Sequence, residues 1–299
     1  MRGAALCLLS AAAFGTLGIF GRLAEDAGAP VATTLLMRFG LAALVFAALL
    51  PWTGGWRALR RLPRRVVLTG LALGAAGYSV QSGLFFAAMG RLDVSLVALL
   101  LYTYPAFVTL AAIALGRMTA SPRIGAALAL ASAGLVLVLL AAGTGAFDSA
   151  GAGMALGASL TYTTYILVSD GIVGDVDPFA LALLVLTGAA ASFATAGLAT
   201  GSIDLSLPAE AWLWLVLIAL VSTVVAVSAF FAGLRRVGPS EAAILSTFEP
   251  PVTVALAFAA LGERLTAAQL AGGALVLAAV VLLQLPARRS APALVEAPA

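Results

Sequence analysis

The chain has 299 residues, of which 63% are hydrophobic and only 10% are charged, and its formal net charge is +3. Because a soluble domain needs roughly 25% charged residues to cover its surface, this composition excludes a water-soluble globular protein and indicates a chain surrounded by lipid. All sixteen basic residues are arginines in short clusters, which is typical of topology signals and not of a nucleic-acid-binding surface.

Ten apolar stretches follow one another along the chain, and each is close to the ~20 residues that a spanning helix requires. Turn-forming residues such as Asp26-Ala27-Gly28 separate them. The second stretch reaches back to about Val31 and so contains Arg38, and the ninth contains Glu249. The sequence therefore predicts an all-α polytopic membrane protein with ten transmembrane helices, at 3–21, 31–56, 66–90, 94–116, 124–147, 149–169, 178–203, 211–234, 239–261 and 265–287.

The arginines outside these helices are distributed unevenly between the two sides of the membrane. With a cytoplasmic N-terminus, only Arg22, Arg91 and Arg264 fall on the outside. Because cytoplasmic loops carry an excess of basic residues, this bias predicts that both termini are cytoplasmic. The inside group consists of Arg2, Arg57, Arg60, Arg61, Arg64, Arg65, Arg117, Arg123, Arg235, Arg236, Arg288 and Arg289.

The two halves of the sequence resemble each other. Arg91-Leu92-Asp93-Val94-Ser95 matches Arg236-Val237-Gly238-Pro239-Ser240, 145 residues later, and Pro105 falls on Pro250 at the same offset. Each half holds five helices, and because five is odd the halves cross the membrane in opposite orientations, as in many secondary transporters.

The start of each half also matches, since Phe14 corresponds to Tyr162 and Pro30 to Pro178, 148 residues later. We therefore expect two inverted five-helix repeats around a central cavity. The expected boundaries are 1–142 for the first repeat, 146–286 for the second, and 287–299 for a cytoplasmic tail that we expect to be disordered.

Several polar side chains, among them four tyrosines, lie near the middle of the predicted helices. A phenol hydroxyl in hydrocarbon needs a partner, and several at a similar depth favour a shared cavity over isolated hydrogen bonds between helices. On the third helix, the spacing of residues 78, 81, 82 and 85 places them on one face. Phenols, phenyl rings, one amide and hydroxyls suit a small, partly apolar solute with a polar head, such as an amino acid. The predicted substrate-binding residues are Tyr78, Gln81, Ser82, Phe85, Tyr102, Tyr104, Tyr162, Tyr165, Ser228 and Ser246.

Two charges, Arg38 and Glu249, lie well inside predicted helices. Such groups are costly in a membrane and usually face the protein interior. In one interpretation Glu249 is a proton or cation site and Arg38 is its partner or a carboxylate ligand; in the other, both are structural or gating charges. We expect Pro250-Pro251 to break the ninth helix beside Glu249 and to leave carbonyl groups free to line a site.

The residue types that dominate catalytic and metal sites are almost missing. There is no histidine, and Cys7 is the only cysteine. This removes the commonest general base and metal ligand, an internal disulfide and a cysteine-based metal cluster. Neither an HExxH nor a GxSxG pattern is present. We therefore expect no enzyme activity, no metal ion and no cofactor.

Three motifs carry a resemblance to a known family. They are Met37-Arg38-Phe39 after Pro30, Phe248-Glu249-Pro250 in the ninth helix, and Leu261-Gly262-Glu263-Arg264-Leu265-Thr266 in the following turn. With them, the chain resembles the EamA-type branch of the drug/metabolite transporter superfamily over nearly its whole length. The first-half copy of the third motif, Leu115-Gly116-Arg117-Met118-Thr119, lacks the glutamate.

The resemblance implies a multi-pass protein of the bacterial inner membrane, in a family of metabolite exporters of which some handle amino acids, including aromatic ones. The leading hypothesis is a secondary transporter that exports small metabolites, in particular amino acids with apolar or aromatic side chains, by alternating access. Its expected partners are a small-molecule substrate and membrane lipid, with no nucleic acid and no obligate protein partner.

Two alternatives stay open at this point. The first is a multidrug exporter for hydrophobic cations. Small members of the superfamily use a glutamate in the first helix for this task, whereas residues 3–21 of this chain contain no acidic residue. The second is a non-transporting regulatory membrane subunit, which would need no polar cavity.

The orientation is testable with reporter fusions. Fusions at Ala299 and in the loop at 57–65 are both expected to report the cytoplasm, because the arginine excess holds both positions inside. A periplasmic signal from either position would contradict the ten-helix topology.

Overall fold

The computed structural model describes residues 1–53, 55–141, 148–170 and 176–285, and every regular element within these ranges is a helix. The predicted all-α membrane fold is thereby confirmed, whereas the tail at 287–299 and the predicted repeat borders at 142, 146 and 286 lie outside the described residues. The helices are α1 (Arg2–Asp26), α2 (Val31–Thr53), α3 (Gly55–Arg61), α4 (Arg64–Ala72), α5 (Ser79–Met89), α6 (Val94–Leu101), α7 (Tyr104–Ala114), α8 (Pro122–Ala141), α9 (Ser149–Asp170), α10 (Pro178–Thr200), α11 (Ala209–Ala219), α12 (Ala226–Val237), α13 (Pro239–Ser246), α14 (Glu249–Leu261) and α15 (Ala267–Gln284).

Nine helices or helix pairs among the described residues are long and apolar enough to cross a membrane. They correspond to nine of the ten predicted stretches, and the remaining stretch is α9, with 22 residues. At ~1.5 Å per residue, a helix of that length covers the hydrocarbon core of about 30 Å. Its hydropathy is lower because it carries Tyr162, Tyr165 and several threonines.

Four of the ten predicted stretches are interrupted. A break was expected only in the ninth stretch, so the prediction of continuous helices was wrong for the third, fourth and eighth. π-Helical turns at Leu73–Tyr78 and Leu220–Val225 join α4 to α5 and α11 to α12. Residues 102–103 separate α6 from α7, and residues 247–248 separate α13 from α14. The interruptions fall at corresponding positions in the two halves of the chain.

Prolines account for the two breaks. Pro105 and Pro250 lie in the first turns of α7 and α14, where a missing N–H costs no intrahelical hydrogen bond. Four residues earlier, the carbonyls of Leu101 and Ser246 have no N–H to accept from, and the preceding helices end there. The predicted break beside Glu249 therefore lies just before it, and Glu249 is the first residue of α14.

Contacts near the helix termini define the two ends of the bundle. At one end, which we call the arginine-rich end, Gly3 of α1 packs against Arg236, and α3 packs on α2 and α10. At the other, which we call the capped end, Arg22 donates a hydrogen bond to the Met89 carbonyl, and Glu263 accepts hydrogen bonds from the start of α6. Successive membrane-crossing segments therefore run in opposite directions between the two ends.

Contacts between the two halves occur in matching pairs. α1 packs on α12 and α14, as α9 packs on α5 and α7, while α2 pairs with α10 and α8 with α15. The match extends to single residues: a Cβ added to Gly3 would lie 2.7 Å from the Arg236 Cβ, and one added to Gly151 would lie 2.9 Å from the Arg91 Cβ. The first contact is at the arginine-rich end and the second is at the capped end.

Two glycines bring α10 and the third membrane-crossing segment into backbone contact. A Cβ added to Gly74 would overlap the carbonyl of Val185, and one added to Gly188 would overlap the carbonyl of Leu71. Small residues at such positions let helices pack closely, which substitutes in a membrane for the hydrophobic effect between helices.

Gly74→Ala is expected to lower the apparent Tm of the purified protein, because the added methyl group forces α10 away at a cost of roughly 1–3 kcal/mol. Gly153→Ala is the matched control, since a Cβ at that helical glycine meets nothing within 4 Å. Size-exclusion chromatography after heating measures both variants, and equal Tm values would contradict the close approach.

Candidate transport site

A central cavity lies where the interrupted helices meet, and it consists of two adjoining compartments of about 130 and 330 Å³. The smaller compartment extends to Leu17 and Phe85, toward the capped end. The larger one extends to Leu181 and Phe231, toward the arginine-rich end. Both compartments are lined by Phe14, Tyr78, Tyr102, Tyr104, Tyr162 and Glu249.

One face of the third membrane-crossing segment lines the smaller compartment. Tyr78, Gln81, Ser82 and Phe85 all contribute to its wall, in the i, i+3, i+4, i+7 pattern expected from their spacing. The Ser82 hydroxyl donates to Oε1 of Gln81 over 3.1 Å, which orients the buried amide. Tyr78 ends the π-helical turn, so the irregular backbone lies directly at the cavity.

All five tyrosines of the protein form one continuous chain of aromatic contacts. Ring centroids are 5.9 Å apart for Tyr102 and Tyr104, 4.8 Å for Tyr104 and Tyr162, 5.9 Å for Tyr162 and Tyr165, and 5.7 Å for Tyr165 and Tyr78. Such rings present negative faces and polar hydroxyls, a surface that accepts both aromatic groups and ammonium ions.

The break between α13 and α14 is bridged by a tyrosine from the other half of the chain. The Tyr102 hydroxyl lies 2.7 Å from Oε2 of Glu249 and 3.0 Å from the Ser246 carbonyl, and it can donate to either. Because Pro250 has no N–H, the Ser246 carbonyl lacks its usual helical donor, and Tyr102 substitutes for it. The two broken segments therefore meet at one hydrogen-bonded unit in the cavity wall.

Arg38 is buried, with 2% of its surface exposed, and it lines the smaller compartment. Its Nε donates to Oγ1 of Thr223 over 3.2 Å and its Nη2 donates to the Tyr78 hydroxyl over 3.3 Å. The guanidinium also lies 4.9 Å from the centre of the Phe39 ring. Thr223 belongs to the second π-helical turn and donates in turn to the Ile218 carbonyl.

Arg38 and Glu249 do not form an ion pair with each other. The three ion pairs in the described part of the chain lie at the ends of the bundle and involve neither residue. A guanidinium has five N–H groups, so the two hydrogen bonds of Arg38 leave donors for a further acceptor. The cavity thus contains a basic and an acidic side chain, each held mainly by neutral partners.

The structure brings together all but one of the residues that the sequence analysis selected. Tyr165 and Ser246 line the larger compartment, and Gln81, Ser82 and Phe85 line the smaller one. The other four tyrosines line both compartments. Ser228 lines neither compartment, and its buried hydroxyl has no partner within the described residues.

Several lining residues were missed by sequence reasoning. Phe14 lies in the wall of both compartments, and its match with Tyr162 in the other repeat was the signal that could have identified it. Thr253 lines the smaller compartment and Phe230 the larger one, but an isolated threonine or phenylalanine in an apolar helix carries no such signal.

An apolar helical bundle whose broken helices surround a polar cavity has the features of a membrane transporter. The model of the EamA-like transporter family matches residues 1–140 and 149–285, so the chain belongs to that family and the predicted family is confirmed. Over 280 residues the chain is 29% identical to an uncharacterized transporter from Archaeoglobus fulgidus, covering 94% of this chain and 95% of that protein. A solved crystal structure shares the fold with a TM-score of 0.66 at 19% identity, over 94% of this chain and 95% of its own.

Tyr102→Phe is expected to lower the Tm, because the Ser246 carbonyl and Glu249 lose a donor that is worth roughly 1.5–3 kcal/mol when its acceptor is charged. Tyr104→Phe is the matched control in the same wall, since its hydroxyl makes no hydrogen bond within the described residues and its loss is expected to leave the Tm unchanged. Equal destabilisation by both variants would contradict the role of Tyr102 at the break.

Proposed function

We propose that this transporter exports amino acids with apolar or aromatic side chains across the bacterial inner membrane by alternating access. One observation carries the proposal: Arg38 and Glu249 line the same cavity and do not pair with each other. Charged groups within a membrane are costly and are kept where they bind a substrate or an ion. An amino-acid zwitterion supplies a carboxylate for Arg38 and an ammonium group for Glu249.

The remaining walls suit an apolar or aromatic side chain. The tyrosine chain offers ring faces next to Glu249, and Val227, Phe230 and Phe231 continue the apolar surface toward the arginine-rich end. The ammonium group is attracted to the tyrosine faces as well as to Glu249. The larger compartment, at about 330 Å³, is at the lower end of the range for small-molecule sites, which favours a single small metabolite.

Alternating access is supported by the matching contacts of the two halves. Gly3 and Gly151 pack against equivalent turns at opposite ends of the bundle, which is the relation expected of an inverted repeat. The breaks before Pro105 and Pro250 occur at corresponding positions, and discontinuous helices at such positions are typical of midplane substrate sites. We assign the arginine-rich end to the cytoplasm, so the larger compartment accepts substrate from the cytoplasm in this conformation.

The hydrophobic-cation alternative has less support from the cavity. The acid that it requires in the first helix is absent at 3–21, and Arg38 contributes a guanidinium to the smaller compartment. A guanidinium in the wall repels a permanent cation, whereas it attracts the carboxylate of an amino acid.

The direct test is flux of radiolabelled phenylalanine in proteoliposomes, with and without a pH gradient. We expect flux above that of protein-free liposomes, driven by an ion gradient or by the substrate gradient itself. Flux at the protein-free level under every gradient would contradict the proposal.

Arg38→Gln and Glu249→Gln are expected to weaken binding of different ligands. The first variant loses affinity for phenylalanine and 3-phenylpropionate, which carry a carboxylate, and retains affinity for phenethylamine. The second loses affinity for phenylalanine and phenethylamine, which carry an ammonium group, and retains affinity for 3-phenylpropionate. Each loss removes a charge-assisted interaction of roughly 1.5–3 kcal/mol, or about ten- to hundred-fold in Kd.

The measurement is the thermal stabilisation of the purified variant by each of the three ligands. Trp52→Phe is the control for ligand binding, because that ring is 84% exposed at the end of α2, far from the cavity wall. An equal loss for all three ligands in both variants would assign the two charges a structural role instead.

A further inference from the structure

The turn between α5 and α6 is held in place at the capped end by a carboxylate from the other half of the chain. Oε1 of Glu263 accepts from the Val94 backbone N–H over 2.7 Å. Its Oε2 accepts from the Ser95 backbone N–H over 2.9 Å and from the Ser95 hydroxyl over 2.6 Å. Glu263 lies in the turn between α14 and α15, so it ties that turn to the unpaired N–H groups at the start of α6.

Two arginines tie the same turn to other parts of the chain. Arg22, near the end of α1, donates to the carbonyls of Met89 and Leu92. Arg91 pairs with Asp148 over 2.9 Å, immediately before α9. The Gly151 backbone N–H and the Arg91 guanidinium hold the pKa of Asp148 below its usual range, so its carboxylate stays charged. The capped end is therefore closed by bonds from three separate helical segments.

The equivalent bonds cannot form at the arginine-rich end, because the two repeats differ in sequence at the positions that donate and accept these bonds. Glu263 has no counterpart, since Leu115-Gly116-Arg117-Met118-Thr119 lacks the glutamate. Val94 corresponds to Pro239, which has no backbone N–H to donate. Arg22 corresponds, 148 residues later, to Asp170, whose carboxylate cannot donate a hydrogen bond.

The arginine-rich end has contacts of its own, but they are weaker. Arg117 donates to the Leu167 carbonyl over 3.3 Å, and Arg235 lies 3.8 Å from Asp177. Both arginines are exposed, as Arg91 is at the capped end, and exposed pairs contribute little to stability because water and salt screen them. The difference between the two ends therefore depends on Glu263 and Arg22, whose hydrogen bonds are partly buried.

We propose that Glu263 is a gate latch: by capping α6, it holds the capped end closed and makes the conformation open at the arginine-rich end the resting state. The inference rests on the proposed alternating-access function. Opening the capped end separates the α14–α15 turn from α6, and the carboxylate then loses three donors at once. The missing latch at the arginine-rich end means that the opposite conformation gains no equivalent bonds.

The experiment measures which side of the membrane reaches the cavity, without any substrate. In a Cys7→Ala background, Leu17→Cys reports the smaller compartment and Val227→Cys reports the larger one. A membrane-impermeant maleimide is applied to right-side-out and to inverted vesicles. With Glu263 intact, we expect fast labelling of the Val227→Cys reporter in inverted vesicles and slow labelling of the Leu17→Cys reporter in right-side-out vesicles.

Glu263→Ala is expected to raise the labelling rate of the Leu17→Cys reporter in right-side-out vesicles about ten-fold or more, because hydrogen bonds to a charged acceptor are lost from the closed state only. Glu263→Gln retains one acceptor oxygen and is expected to give a smaller rise, as is Ser95→Ala, which removes one donor. Glu210→Ala is the matched control, an exposed carboxylate at the start of α11 at the same end.

Three outcomes separate the latch from the proposed function. Unchanged labelling of the Leu17→Cys reporter in Glu263→Gln and Ser95→Ala, with normal labelling of the Val227→Cys reporter as proof of folding, would overturn the latch and leave alternating access intact. Labelling of one reporter from both sides at the full rate of a freely accessible cysteine would show that both ends are open at the same time, which would overturn alternating access and the latch with it. An equal rise in Glu210→Ala would also overturn the latch, because it would show a general effect of charge at that end.

Discussion

A backbone group that faces the hydrocarbon core has no water with which to form a hydrogen bond. This constraint decides where the helices of this protein can be interrupted. Pro250 removes the donor that the Ser246 carbonyl would have in a continuous helix, and the Tyr102 hydroxyl takes its place. The same hydroxyl also contacts Glu249, the first residue after the break. The interrupted backbone, the tyrosine and the acid are therefore one structural unit, and this unit forms part of the cavity wall.

The second constraint is the cost of charge in the same region. Arg38 is held by a threonine, a tyrosine and an aromatic face, and Glu249 by a tyrosine. Neutral partners of this kind satisfy some hydrogen-bonding capacity without neutralising either charge. A direct ion pair would have removed the reason for a zwitterion to bind. The separation of the two charges across one cavity is thus as important for the proposed function as their presence.

The sequence predicted the order of the membrane stretches, and nine of the ten are long and apolar enough to cross a membrane among the described residues, because apolar runs of about 20 residues leave few alternatives. It also predicted most of the cavity wall, since a tyrosine or glutamine in hydrocarbon needs a buried partner. It did not predict the π-helical turns, because Leu73–Tyr78 and Leu220–Val225 contain no proline and differ little in composition from the helices around them. Ser228 was selected by depth alone, which does not tell which side of a helix faces the cavity, and it lines neither compartment.

The latch and the transport site lie at the two ends of a single short helix. α6 has 8 residues, and Glu263 caps its first turn while Tyr102 directly follows its last. A helix of that length is about 12 Å long and moves as a rigid rod, so a displacement at one end is transmitted to the other. In the proposed function, a substrate ammonium group draws Glu249 away from Tyr102 and weakens the tie between α6 and α14. Glu263 holds the same two segments together at the capped end. In the proposed transport cycle, substrate binding and opening of the capped end are therefore coupled through α6, without a longer pathway across the bundle.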